Sequence, residues 1–182
     1  MRLFAERGFA ETSVGEVQAA CGLSSSSGAL YKHFASKEEL LEAGIERELV
    51  HLDGVRRARR LLPDIGDFQA ELEILGRFLL LELAAERDLL RILLKDADRF
   101  PRMLTQARVR LIDPVYAEFA DWLRTRSDRS VSDIDATAAV AFGAIVQYRA
   151  IEALMGAPPG GMDEERFLQA WVEMVWAIVG TT

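Results

Sequence analysis

Ser26, Ser27, Ala29, Lys32 and His33 form the exposed side of a short segment whose apolar residues, Leu30 and Phe34, read as core. Small hydroxyls beside a lysine suit close approach to base edges and phosphates. Catalysis has far less to draw on. His33 lies in this segment, His51 stands alone on a long helical stretch, and Cys21 is the one cysteine. No Gly-rich phosphate loop, metal-spaced His/Cys cluster or nucleophile elbow is present, so no enzyme, metal site or cofactor is expected. Asp96 and Asp98, near Glu86 and Asp88, read as a solvated acidic surface between helices. Cys21 reads as a small core residue before Gly22, and a single cysteine, unable to form an internal disulfide, fits a reducing cytoplasm.

The elements that must position these side chains follow from helix stops and starts. Gly8 followed by Phe9, and Gly22 followed by Leu23, each fit a helix end: the glycine takes the left-handed conformation and the apolar residue packs back on the last turn. Ser13 with Glu16, and Ser36 with Glu39, have the spacing of capping boxes and place helix starts near Val14 and Lys37. Between Gly22 and Ser36 there is room for one short helix over 27–33. Val14, Val17, Leu23, Leu30 and Phe34 form the core of this miniature bundle. A serine run alone reads as a flexible spacer. Between two helix signals, Ser24 to Ser27 reads as a turn.

The stretch from Thr12 to Leu41, TSVGEVQAACGLSSSSGALYKHFASKEELL, resembles the helix-turn-helix module of TetR/AcrR-type bacterial transcriptional regulators. The resemblance rests on Leu3-Phe4, Gly8-Phe9, Thr12-Ser13-Val14, Val17, Cys21-Gly22-Leu23-Ser24, Gly28, Leu30-Tyr31, His33-Phe34 and Ser36-Lys37-Glu38-Glu39-Leu40-Leu41. It implies a recognition helix in the major groove. It also implies that Tyr31, Lys37 and Thr12 meet phosphates, with helix amino-terminal N–H groups as further anion sites. Two departures bear on this. Ser25 and Ser26 look like a two-residue insertion in the turn, which spreads the DNA-binding candidates over Thr12, Ser25, Ser26, Ser27, Ala29, Tyr31, Lys32, His33 and Lys37. The chain also begins at Met1-Arg2-Leu3, later than the family's usual and often basic start. Either the true start lies upstream, or part of the first helix and its phosphate-contacting arm is lost.

Charge narrows the kind of binding. The 182 residues carry a net charge of −7, which argues against a generic nucleic-acid binder. Residues 1–61 hold nine Lys/Arg and nine Asp/Glu, whereas residues 62–182 hold thirteen against twenty. Specific rather than charge-driven DNA binding is therefore expected, weakening with salt. The longest apolar stretch, 136–146, falls short of the ~20 residues of a membrane helix, and no charged-then-apolar leader is present.

Downstream, sparse glycine and proline punctuation predicts helices over 37–62 (stopped by Pro63), 64–85, 87–98, 100–127, 134–155 (capped by Ser132 with Asp135) and from Asp163 to Val179. Arg56, Arg57, Arg59 and Arg60 read as cations favouring a helix C-terminus. The stretches 136–146 and 170–179 are apolar nearly all round, so both faces must be covered, and a second subunit is expected on one of them, with a fully intramolecular core as the alternative. Ala139, Gly143, Val146, Phe167, Trp171, Met174, Val175 and Ile178 are the candidate interface residues, and the resemblance implies that these two helices pair with their copies in a four-helix dimer contact. Phe78, Leu81, Leu93, Phe100, Met103, Phe119, Trp122 and Phe142 exceed what one amphipathic stripe needs, and Glu82, Tyr116, Gln147 and Tyr148 are polar exceptions among them. Convergent polar groups in apolar surroundings are the usual form of a small-molecule pocket, with plain core as the alternative.

The expected fold is all-α with about nine helices: a three-helix helix-turn-helix DNA-binding domain over residues 1–44 and a larger helical ligand-binding and dimerisation domain over residues 45–182. The expected function is a cytoplasmic homodimeric repressor, released from a palindromic double-stranded DNA operator by a small apolar effector. The alternative is a dimeric hydrophobic-ligand binder that has lost DNA binding.

Overall fold

The computed structural model describes residues 1–24, 28–59, 65–127 and 131–180, and among these every regular element is helical. Helix α1 spans Arg2–Arg7 and ends at Gly8, whose N–H still donates to Phe4 O at 2.8 Å and whose φ of 88° turns the following chain out of the helix. Helix α2, Val14–Ala20, starts in the capping box that Ser13 and Glu16 spell out. It ends as Gly22-Leu23 predicts: Gly22 at φ 74° donates its N–H to Ala19 O, and Leu23 donates to Gln18 O. That pair of bonds is the Schellman pattern. Helix α3, Lys37–Arg59, opens with Ser36 Oγ accepting from Glu39 N–H, while the Glu39 carboxylate accepts from Ala35 N–H.

Between α2 and α3 the structure departs from expectation. The helix expected over 27–33 is reduced to a single 3₁₀ turn, Leu30–Lys32. Gly28 sits at φ 58°, a left-handed conformation that does not continue into a helix, so the turn starts only after it. Ser25, Ser26 and Ser27 lie outside the described residues, as do the expected stop at Leu62-Pro63 and start at Asp64.

The remaining helices follow the chain's own punctuation. Helix α4, Phe68–Ala85, is capped by Asp67, whose carboxylate accepts from Gln69 and Ala70 N–H. Helix α5, Arg87–Lys95, follows after the single residue Glu86 and leads through a 3₁₀ turn, Ala97–Arg99. The helix expected over 100–127 is instead α6, Pro101–Ala107, a π turn, Arg108–Ile112, and α7, Asp113–Arg126. Asp113 N–H donates five residues back to Arg108 O. Pro114, next in line, has no N–H to restore the four-residue register, which accounts for the widening. Helix α8, Ile134–Met155, is capped by Asp133 rather than by Ser132, because Asp133 is the residue directly before the first turn. Helix α9, Glu164–Val179, is capped by Asp163.

Two cores result. Phe4, Phe9, Leu41, Ile45, Leu49, Leu89, Ile92, Phe100 and Met103 join α1, α3, α5 and α6. Leu72, Leu80, Phe119, Leu123, Ile145, Tyr148, Leu168, Trp171 and Val175 fill the bundle of α4, α7, α8 and α9. Each fully buried aliphatic or aromatic side chain contributes about 1.5–3 kcal/mol. Helix α3 runs unbroken across residue 44, and the first core continues with it.

At 22 residues and a mean hydropathy of 1.3, α8 is by length and composition apolar enough to cross a bilayer, further than the 136–146 stretch reached. Its apolar residues are used in the bundle: Ala138, Ala141, Phe142, Ile145 and Tyr148 are buried, and Arg149 is buried among them with its guanidinium hydrogen-bonded.

Candidate nucleic-acid interface

The 3₁₀ turn presents what the sequence led one to expect on the surface. Tyr31 is 58% exposed, and Lys32 and His33 beside it are exposed too. Leu30 and Phe34 turn inward as half-buried residues, and Ala29 is half-buried at the start of the turn. The turn closes on itself through Tyr31 N–H to Gly28 O, His33 N–H to Leu30 O and Phe34 N–H to Leu30 O. Tyr31, Lys32 and His33 are thereby brought to one edge of the molecule. Ser25, Ser26 and Ser27 lie outside the described residues.

Thr12 and Lys37 are placed differently. Thr12 is 1% exposed, and its hydroxyl lies 2.9 Å from Gly8 O and 3.2 Å from Leu3 O, so it closes the end of α1. The Lys37 ammonium donates to Phe9 O at 2.7 Å and Thr12 O at 2.9 Å, and stands 4.2 Å over the Phe9 ring. A carbonyl pair and a ring face suit a cation well, and they hold this one over the α1–α2 connection. Arg7 pairs with Glu16 across the same surface.

The module is also fastened to the helices behind it. Asp96 accepts from Phe9 N–H at 3.1 Å, so it is a tie between α1 and the end of α5 rather than part of a solvated acidic surface. Arg91 donates its Nε–H to Ala5 O at 3.0 Å and another N–H to Ala153 O near the end of α8. Lys95 reaches the same Ala5 O at 3.3 Å. These carbonyls belong to the last turns of α1 and α8, where a helix has no partner of its own to offer and carries partial negative charge. Further along, Arg110 on the π turn pairs with Glu46 on α3. Sequence reasoning missed Arg91 and Asp96 because their partners are backbone atoms of other elements.

Residues 1–43 match the sequence family described as bacterial regulatory proteins, tetR family. The amino-terminal module is therefore similar to that family. A stretch of 46 residues is 50% identical to the HTH-type transcriptional regulator YerO of Bacillus subtilis (strain 168), itself uncharacterized. That match covers 25% of this chain and 15% of the relative, so it speaks for the amino-terminal module alone. The fold is similar over nearly its whole length to a solved protein of Mesorhizobium loti MAFF303099 assigned to the TetR family of transcriptional regulators. The TM-score is 0.66, with 22% identity, over 98% of this chain and 91% of that one.

The helical body divides the residues expected to line a pocket. Leu93, Phe100 and Met103 belong to the amino-terminal core. Tyr116, Phe119, Trp122, Phe142 and Tyr148 belong to the carboxy-terminal one. There Tyr116 meets Phe142 edge-on at 4.9 Å and Phe119 stacks on Trp122 at 5.9 Å. Tyr148 donates its hydroxyl to Met162 O at 3.0 Å. Burial raises the Tyr116 hydroxyl's pKa, and raises that of Tyr148 as well, with Glu152 adding to the effect. Phe78 and Glu82 are half-buried, while Leu81, at 66% exposed, and Gln147 face outward. Among the described residues the set is thus divided between the two cores. The protein has a cleft of about 200 Å³ at the end of α8, lined by Leu83, Ala84, Arg87, Arg149, Glu152 and Ala153, of which the sequence pointed only to Leu83. Burial pulls the Arg149 pKa down, but hydrogen bonds from its guanidinium to Glu152 and Glu164 outweigh this and hold it above the ordinary arginine value.

The candidate interface residues also separate. Ala139, Met174 and Ile178 are exposed, and Gly143, Val146 and Phe167 half-buried. Trp171 and Val175 are turned into the protomer's own core, Trp171 donating its indole N–H to Ala141 O at 2.7 Å. Val140, 66% exposed, joins the outward set.

Proposed function

We infer that this regulator binds a palindromic double-stranded DNA operator as a homodimer in the cytoplasm and represses transcription until a small apolar molecule releases it. The observation that carries this reading is the outward presentation of Tyr31, Lys32 and His33 on a turn held between a capped α2 and a capped α3. A second observation supports the dimer. Val140, Met174 and Ile178 leave an apolar face on α8 and α9 that a single chain does not cover. A two-fold pair would present two recognition turns, and these would have to match half-sites one helical turn apart, ~34–36 Å. A ligand that favoured another arrangement of the body would change that spacing through α3 and lower operator affinity.

One specific feature favours the second reading, a dimeric ligand binder without DNA binding. The recognition element is a single 3₁₀ turn, with Thr12 and Lys37 engaged inward. A mobility-shift titration on the intergenic DNA beside the coding region, at low and moderate salt, separates the two. A retarded complex that Val140→Arg abolishes, together with a shift from dimer to monomer in sedimentation, supports the dimeric DNA binder. A folded dimer that retards no duplex at low salt puts the second reading in its place.

A further inference from the structure

Gln18 is a polar side chain buried to 1% exposure in the middle of the helix-turn-helix, on the face of α2 away from solvent. A buried primary amide must find partners for both its ends, or the fold bears the cost of desolvating it. Gln18 finds them on the two ends of one segment. Its Nε2–H donates to Ser24 O at 3.0 Å, and its Oε1 accepts from Leu30 N–H at 3.3 Å. Its backbone carbonyl meanwhile accepts from Leu23 N–H at 2.9 Å and so closes α2.

The Leu30 contact has a particular meaning. Leu30 is the first residue of the 3₁₀ turn, so its N–H is one of the donors that a helical turn cannot satisfy internally. The turn has no side-chain cap of its own, since the residue before it is Ala29. Gln18 supplies that cap from another helix. A cap held on a buried, packed helix fixes where the turn begins and which way Tyr31, Lys32 and His33 face, whereas a cap on the turn itself would travel with it.

We propose that Gln18 is the positioning residue of the recognition turn, touching no DNA itself but setting which base pairs the turn can read. The proposal rests on the DNA-binding reading given above. It requires that losing the amide lowers specific binding more than binding as such. Phosphate contacts tolerate a reoriented turn, whereas base-edge hydrogen bonds do not.

The test compares the whole chain with Gln18→Met, which keeps the side chain's length and apolar packing without either hydrogen bond, and with Gln18→Ala. Random-sequence duplexes are enriched on the unaltered protein, and affinities for the enriched and a random duplex are then measured for all three proteins. Helicity and melting establish that each variant is folded. The expected result is a ratio of enriched to random affinity lowered by about tenfold in Gln18→Met, the scale of one lost buried hydrogen bond. Random-duplex affinity is expected to be nearly unchanged, and Leu30 N–H to exchange faster with solvent. A Gln18→Met protein with an unaltered ratio, or with Leu30 N–H equally protected, overturns the proposal alone. An unaltered protein that enriches no duplex overturns it together with the DNA-binding reading. If Gln18→Ala is unfolded, the Gln18→Met comparison decides.

Discussion

The amino-terminal core and the carboxy-terminal bundle are both apolar inside, but they are tied together by different means. Around the first, long polar side chains reach onto backbone carbonyls of other elements: Lys37 onto Phe9 and Thr12, Arg91 onto Ala5 and Ala153, Gln18 onto Ser24. In the second, aromatic volume does most of the joining, with Phe119 stacked on Trp122 and on Trp171 and Tyr148 on Phe167 at 4.3 Å, beside carbonyl contacts from Arg149 to Leu80 and from Trp171 to Ala141. Its surface charges pair with one another instead, as Arg77 does with Glu165 and Arg124 with Asp135. A small module with little surface to bury can be oriented by a few directional contacts. A four-helix bundle has enough volume to be oriented by packing.

The largest effect should come from removing that volume. Trp171, 2% exposed between α8 and α4, fills the bundle and donates to Ala141 O. Trp171→Ala is expected to cost about 3–5 kcal/mol in urea unfolding, the usual range for a large buried aromatic. A loss under about 1 kcal/mol would mean that the bundle closes over the gap and is not held by packing in the sense argued.

An intermediate effect tests the other half of the comparison. Arg91→Ala removes the shared donor from the last turns of α1 and α8. Lys95 stays on Ala5 O, so the loss is partial. Local opening of α1 should become easier by about 1–2 kcal/mol, the worth of a charge-assisted hydrogen bond, seen as faster amide exchange at the start of the chain. Exchange in α9 should not change. If both regions loosen equally, the two cores behave as one cooperative unit and the distinction between their fastenings has no energetic content.

The same distinction explains what was legible in the sequence. The Ser13–Glu16 capping box and the glycine stop at Gly22 could be read because each is a local pattern within one element. The ends of the segment between α2 and α3 could not, since they depend on Gln18 reaching across from α2. A signal for that existed: Gln18 follows Val14 by one helical turn and so occupies a core phase with a polar residue. Arg149, directly after Tyr148 in an apolar helix, gave a similar signal. The exposure of Lys32 and His33 was legible from the inward phase of Leu30 and Phe34, whereas Tyr31 was singled out only by the family resemblance. The inward engagement of Thr12 and Lys37 was not, because their partners are carbonyl oxygens that every residue carries. The expected pocket set is divided between two cores for a related reason. Composition counts aromatic residues but does not say which of two cores each one joins.

The smallest effect is expected at Glu86, where the two regions meet. It is the single residue between α4 and α5 and is 8% exposed. Burial raises its pKa above the ordinary 4.5, the Glu48 carboxylate across on α3 raises it further, His51 on α3 opposes, and Glu82 and Asp88 add to the rise. A carboxyl whose folded pKa lies above its unfolded one binds its proton more tightly when folded. Its stabilising contribution is full below 4.5 and is lost as pH climbs through the raised value. Above that value the ionised carboxylate is held where water cannot reach it and other carboxylates face it. Glu86→Gln removes the charge and keeps the shape, so it should raise Tm at about pH 8 and give no gain at about pH 4. A gain of the same size at both pH values would mean that packing, not ionisation, is responsible. No gain at the higher pH would mean that the corner between the two regions is open to solvent, and that α3 is held there by Leu49 and its apolar neighbours alone.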